Sequence, residues 1–122
     1  MTDVRTPWQF DRAAALSRLD GDDDLLDEIL EQFLADVPVL LAAIETGIGR
    51  GDGPALRDAA HSLKGAAAYL AADAFCAFAQ SLEGFGSTNQ IGQARAVWPS
   101  FAADANGVVD ALRRAVPTAR VR

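Results

Sequence analysis

Apolar residues recur at steps of three and four along most of this 122-residue chain, and that spacing constrains the fold more than any other feature. A helix turns once every ~3.6 residues, so the spacing gathers apolar side chains into one stripe per helix. Alanine occupies 25 positions, whereas Val, Ile and Thr are sparse, which favours helices over strands. We therefore predict an all-α protein, an antiparallel up-down-up-down four-helix bundle with a short accessory N-terminal helix.

Glycines, prolines and capping residues predict the limits of these elements. Gly84 and Gly86 should stop the fourth helix, which puts Glu83 in its last turn, where helix ends fray. Pro38 should kink the second helix without ending it, and Pro99 should kink or briefly break the fifth. The four bundle helices are expected over about residues 22–47, 53–70, 74–83 and 90–116. The predicted organisation is an arm over 1–10, the bundle over 11–116 and a tail over 117–122.

Charge and composition exclude several classes of protein. Seventeen acidic residues against eleven basic ones give a net charge of −6, which argues against a nucleic-acid partner. No apolar run reaches about 18 residues and the N-terminus lacks the layout of a secretory signal, so neither a membrane span nor export is expected. The single cysteine, Cys76, favours a reduced, cytoplasmic environment. The chain has no GxxxxGK[ST], GxGxxG, GxSxG or HExxH motif, so an ATP-using enzyme is not expected.

The third helix carries the chain's one histidine, His61, and its one lysine, Lys64, three residues apart. On a helical wheel both residues, with Arg57, Gly65 and Ala68, lie away from the apolar stripe, so the imidazole should face solvent. A glycine in the middle of a helix lowers helix stability by about 1 kcal/mol relative to alanine, so helix propensity does not explain Gly65. Geometry alone leaves two explanations open: clearance for a partner or ligand that approaches His61, or a tight contact with a neighbouring helix.

Glu83 is the expected partner of His61. The turn between the third and fourth helices is centred near residue 72, which is midway between His61 and Glu83 in the sequence. An antiparallel hairpin therefore brings these two residues to the same level. A carboxylate there would accept the Nδ1–H of His61, fix its tautomer and leave Nε2 as a nucleophile. Lys64 supplies a point charge suited to a phosphoryl group. A metal-ligand role for His61 is not expected, because the chain has no second histidine.

The segment AHSLKGAAAYLAADAFCAFAQSLE, residues 60–83, resembles the core motif of histidine-containing phosphotransfer (Hpt) domains. The upstream segment FDRAAALSRLDGDDDLLDEILEQFLADVPVLL resembles their usual opening, and the resemblance covers about residues 8–115. It implies that His61 is phosphorylated and that Lys64 helps to hold the phosphoryl group. It also implies that Gly65 gives a partner room and that Glu83 bonds to the imidazole.

The same resemblance implies receiver-domain partners, in response regulators and/or a hybrid histidine kinase. The receiver would supply the aspartate and the Mg²⁺, so this monomeric phosphoryl carrier would need no cofactor of its own. Arg57, Gly65 and Ala68 are the expected docking residues around His61. Two alternatives stay open: a non-catalytic helical adaptor that binds receivers, and a phosphotransfer domain cut from a hybrid or chemotaxis-type kinase. Because the chain has no ATP-binding domain, a free-standing relay protein is favoured over the second.

Overall fold

The computed structural model describes residues 12–68, 70 and 73–115, and within them the chain forms helices without strands. The prediction of an all-α bundle is confirmed. The expected arm, tail and start of the bundle at residue 11 lie outside the described residues. None of the described helices is both long enough and apolar enough to cross a bilayer. The helices are α1 (Arg12–Ser17), α2 (Asp23–Arg50), α3 (Gly53–Ala68), α4 (Asp73–Ser87) and α5 (Ile91–Ala115).

The four long helices close into a ring, in which α3 packs against α2 and α4, and α5 packs against the same two helices. Contacts across α3 and α4 join the start of one helix to the end of the other, so the two run antiparallel. Gly53 lies against Gly86, and the Cys76 thiol donates to the Lys64 carbonyl at 3.6 Å. An aromatic cluster joins α2, α4 and α5 and comprises Phe33, Phe75, Phe78, Trp98 and Phe101, of which Phe78 is half-buried.

The second helix ends later than the sequence predicts. Its start is capped as an acidic N-cap should be, because the Asp22 carboxylate accepts from the Leu25 N–H at 3.0 Å. The predicted end at Gly47 is wrong, since the helix continues to Arg50 and stops at Gly51, where φ is +66°. Gly47 is buried against the backbone of Leu56 on α3, and this packing outweighs the low helix propensity of glycine.

Both internal prolines lie within continuous helices, Pro38 in α2 and Pro99 in α5. The second helix continues beyond its proline as predicted, and the short break considered for the fifth is absent. Buried side chains on the turns next to each proline, such as Val37 in α2 and Phe101 in α5, anchor both halves of the helix to the core. A proline removes one backbone hydrogen bond, and this packing compensates for the loss.

The accessory helix α1 is tied to the start of α2 by a shared guanidinium. Arg12 contacts the Asp23 carboxylate at 2.9 Å and the Asp27 carboxylate at 3.2 Å. Asp27 is buried, so Arg12 satisfies a carboxylate that would otherwise be desolvated without a partner. These contacts hold α1 against the first turns of α2.

Candidate functional site

His61 lies on the outer face of α3, opposite the buried stripe of that helix. Its side chain is 67% exposed, as the helical wheel predicts. Nδ1 of His61 lies 2.9 Å from Oε2 of Glu83 on α4. A carboxylate is an acceptor, so we assign the ring proton to Nδ1 from this hydrogen bond. Nε2 then carries a lone pair on an exposed ring, which is the arrangement that a nucleophilic histidine requires. The buried residues of α3 are Gly53, Leu56, Ala59, Ala60, Leu63 and Ala67.

The carboxylate of Glu83 is shared between two partners. While Oε2 accepts from His61, Oε1 lies 2.7 Å from Nζ of Lys64. The second contact is an ion pair without the alignment of a hydrogen bond. Lys64 lowers the pKa of Glu83 most, burial opposes this shift, and the hydrogen bond from His61 lowers the pKa further. Glu83 is therefore held as a carboxylate at neutral pH and fixes the positions of both neighbours.

Glu83 lies further inside its helix than the sequence predicts. The expectation that Gly84 and Gly86 stop α4 is wrong, because the helix runs on to Ser87. The chain turns at Asn89, which adopts a left-handed φ of +56°. The Gln90 N–H there returns to the Phe85 carbonyl at 2.7 Å, as at a Schellman C-cap. Glu83 is thus a whole turn away from the end of α4, and the predicted fraying does not reach it.

The surface beside His61 is open at Gly65 and Ala68, both of which are exposed. A Cβ built on Gly65 would have no other atom within 4 Å, apart from its own helix and chain neighbours. Of the two explanations that the sequence leaves open for this glycine, a tight contact with a neighbouring helix is therefore excluded for the described residues. What remains is clearance on the outer side of α3, next to the imidazole.

Arg57 lies one turn before His61, and its guanidinium contacts the Asp58 carboxylate at 3.1 Å. Lys64 is paired with Glu83, so the two cations predicted beside His61 both have carboxylate partners. With a neutral imidazole, the formal charges of these five side chains cancel. Within the ranges that the structure describes, no three His, Cys, Asp or Glu side chains come together as a metal-binding group.

A comparison with protein-family models matches the Hpt domain over residues 28–119, which is more than half of the chain. The chain belongs to the Hpt family. Comparisons with curated proteins and with solved structures gave no significant match. Hpt domains are helical phosphocarriers, not kinases; they work in phosphorelays and interact with receiver domains. The matched range contains every candidate site residue on α3 and α4, and it leaves out α1.

Sequence reasoning missed two side chains at the site of this Hpt domain. Asp58 and Ser62 line a shallow depression at His61 together with Arg57 and Glu83. Both residues are exposed and could have been found from the helical wheel, because they too lie away from the apolar stripe of α3. Neither residue belongs to a motif that would distinguish it from an ordinary exposed polar residue.

The lowered pKa of Glu83 predicts how this contact responds to acid. The folded state favours the carboxylate, so its stabilising contribution is complete above the ordinary carboxyl pKa of 4.5 and is lost as the pH falls through the lowered folded value. Replacing Glu83 with glutamine removes this contribution. We expect the free energy of unfolding to fall less between about pH 7 and about pH 3 in Glu83→Gln than in the wild type. Urea unfolding followed by circular dichroism at both pH values measures the difference.

The matched control for this experiment is Glu45→Gln, the same chemical change on the exposed surface of α2. We expect this variant to lose stability on acidification as the wild type does. If Glu83→Gln and the wild type lose equal stability between the two pH values, the Lys64–Glu83–His61 contacts do not favour the ionised carboxylate.

Proposed function

We propose that His61 accepts a phosphoryl group from the phosphorylated aspartate of one receiver domain and passes it to the aspartate of another. The observation that carries the proposal is the 2.9 Å hydrogen bond between His61 Nδ1 and Glu83, on a ring that is 67% exposed. It leaves the nucleophilic Nε2 on an accessible face. The clearance at Gly65 and Ala68 lies on the same face and suits the approach of a protein surface.

In the transfer step, the Nε2 lone pair attacks the phosphorus of the aspartyl phosphate in line with the bond to the leaving oxygen. The bond between phosphorus and that oxygen breaks, and the aspartate leaves as a carboxylate. The phosphorylated ring keeps its Nδ1 proton and becomes cationic, so the Glu83 carboxylate at 2.9 Å stabilises it. The return step reverses these events with a second aspartate as the nucleophile.

Lys64 is proposed to hold the phosphoryl oxygens. Its ammonium group has three N–H donors, and Glu83 engages one side of it at 2.7 Å. The remaining donors are available to an incoming phosphoryl group, while the contact with Glu83 keeps the amine beside His61. We propose that this monomeric domain holds no cofactor and that the Mg²⁺ of the reaction belongs to the receiver.

Receiver docking is proposed to use the rim of the site. Arg57, Gly65 and Ala68 surround His61 on the outer face of α3. Because Arg57 is 46% exposed and its partner Asp58 is 72% exposed, exchange of their ion pair for contacts with a receiver costs little. Small residues near the histidine allow a close approach, and apolar contact supplies most of the interface energy.

The test is phosphorylation with phosphoramidate, followed by intact mass and ³¹P NMR. We expect one phosphoryl adduct that is labile in acid and whose ³¹P signal is that of phosphohistidine. The phosphorylated protein should then transfer its group to at least one receiver in a panel. A folded protein that gains no adduct, under conditions that label another Hpt domain, would overturn the proposal in favour of an adaptor that only binds. An adduct that no receiver removes would overturn the relay step.

A further inference from the structure

The backbones of α3 and α4 come unusually close at two glycines. A Cβ built on Gly86 would lie 2.6 Å from the Arg57 nitrogen and 2.6 Å from the Gly53 carbonyl oxygen. A Cβ built on Gly53 would lie 2.7 Å from the Gly86 carbonyl oxygen. Carbon atoms do not approach backbone atoms so closely, so only glycine at both positions permits this spacing. Gly86 therefore serves helix packing, although its sequence position suggested a helix stop.

This contact lies one helical turn from the His61–Glu83 hydrogen bond. Gly86 follows Glu83 by three residues on α4, and Arg57 precedes His61 by four on α3. Residues at these spacings share a helix face, so both contacts lie on the same side of the α3–α4 pair. The Glu83 carboxylate is engaged at both oxygens, at 2.9 and 2.7 Å, and an outward shift of α4 would lengthen at least one of these contacts.

We propose that Gly86 is a positioning residue for phosphotransfer, acting through its backbone contact with Gly53. The contact sets the distance between α3 and α4 at which Glu83 accepts the Nδ1–H of His61. If Glu83 moves away, the ring proton is free to occupy Nε2, and the lone pair that attacks phosphorus is lost. The catalytic part of this inference rests on the proposed function, whereas the tautomer part concerns the resting protein alone.

The primary test is Gly86→Ala, read by ¹⁵N NMR of the imidazole. Because His61 is the chain's one histidine, the ring signals need no assignment among several residues. We expect the neutral imidazole of the wild type to carry its proton on Nδ1 and to leave Nε2 unprotonated. In Gly86→Ala both signals should move towards a mixture of tautomers, and the rate of phosphorylation by phosphoramidate should fall about tenfold.

The matched control is Gly84→Ala, the same change two residues earlier on the same helix. A Cβ on Gly84 would meet no atom within 4 Å, so the helix-propensity gain of alanine is obtained without moving α4. We expect wild-type ¹⁵N shifts and a wild-type phosphorylation rate. An equal loss in Gly84→Ala would show that helix propensity, not helix spacing, controls the site, and it would overturn the proposal.

A second variant, Gly53→Ala, approaches the same contact from α3 and replaces the first if Gly86→Ala does not fold. It should shift the tautomer in the same direction. Folded Gly86→Ala or Gly53→Ala protein that keeps the wild-type ¹⁵N shifts contradicts the proposal, even if phosphorylation slows. If the wild type gains no phosphoryl group at all, the proposed function fails, while the ¹⁵N shifts still decide whether the glycine contact positions the imidazole.

Discussion

Replacing His61 with glutamine is expected to abolish phosphorylation completely while leaving the fold intact. The chain has no other histidine, so the variant offers no imidazole to phosphoramidate or to a receiver. The side chain is 67% exposed, and the amide of glutamine can still donate to Glu83. Glu83 is therefore not left without a donor, and stability should change by less than about 1 kcal/mol. Intact mass after phosphoramidate treatment, with circular dichroism and thermal unfolding of the same sample, measures both outcomes.

A histidine introduced at another exposed position shows how much of the phosphorylation rate depends on the surroundings of His61 and how much on exposure of an imidazole alone. Gln93 is exposed on α5, and no acidic residue lies three or four positions from it. In the double variant His61→Gln with Gln93→His, we expect far slower labelling than in the wild type, since no carboxylate one turn away on the same helix fixes the tautomer. Labelling of the single His61→Gln variant would show that His61 is not the phosphorylation site. Wild-type rates in the double variant would show that the surroundings of His61 do not contribute to its reactivity.

The position of His61 could be predicted from the sequence because its causes are local. The spacing of apolar residues sets which face of α3 is buried, and that alone turns the imidazole outward. The register of Glu83 needed one further element, the turn between α3 and α4, and the 2.9 Å contact confirms the antiparallel hairpin argument. Helix periodicity and a short connection were sufficient for both features.

The ends of α2 and α4 could not be predicted, because contacts between helices decide them. Glycine costs a helix about 1 kcal/mol, and by that rule Gly47 and Gly86 read as stops. Each instead lies against the backbone of α3, which a Cβ would approach to 2.6 Å at Gly86 and to 3.0 Å at Gly47. The true stops are marked by left-handed backbone, at Gly51 and Asn89. The sequence alone does not distinguish a glycine that allows close helix packing from a glycine that ends a helix.

The ion pairs that Arg57 and Lys64 form at the site could not be predicted from the sequence either. Adjacent residues on a helix do not usually face each other, so the contact between Arg57 and Asp58 has no periodic signal. The Lys64–Glu83 ion pair depends on the distance between α3 and α4, which the glycine contact sets. Asp58 and Glu83 therefore offset the charges of Arg57 and Lys64 beside His61.

Replacing Gly65 with glutamine or arginine is expected to block phosphotransfer with receivers and to spare phosphorylation by phosphoramidate. Gly65 is exposed one turn beyond His61, and a side chain there would extend into open space. It would fill the clearance through which a receiver surface reaches the imidazole, while a small phosphoryl donor could still enter. We expect the receiver transfer rate to fall at least about a hundredfold, because misplacement of the reacting atoms by about 1 Å already has an effect of that size. The fold should gain stability, by up to about 1 kcal/mol, since glycine is a poor helix former.

Two further variants isolate the steric effect at Gly65. Gly107→Gln makes the same change on α5, where a Cβ would also meet no atom within 4 Å, and it should leave both reactions at wild-type rates. Gly65→Ala adds one methyl group and should reduce receiver transfer far less than glutamine does, because the obstruction grows with side-chain size. Transfer from a phosphorylated receiver is measured alongside phosphoramidate labelling for each protein. Equal rates of receiver transfer in Gly65→Gln and the wild type would mean that the partner does not approach across this face of α3.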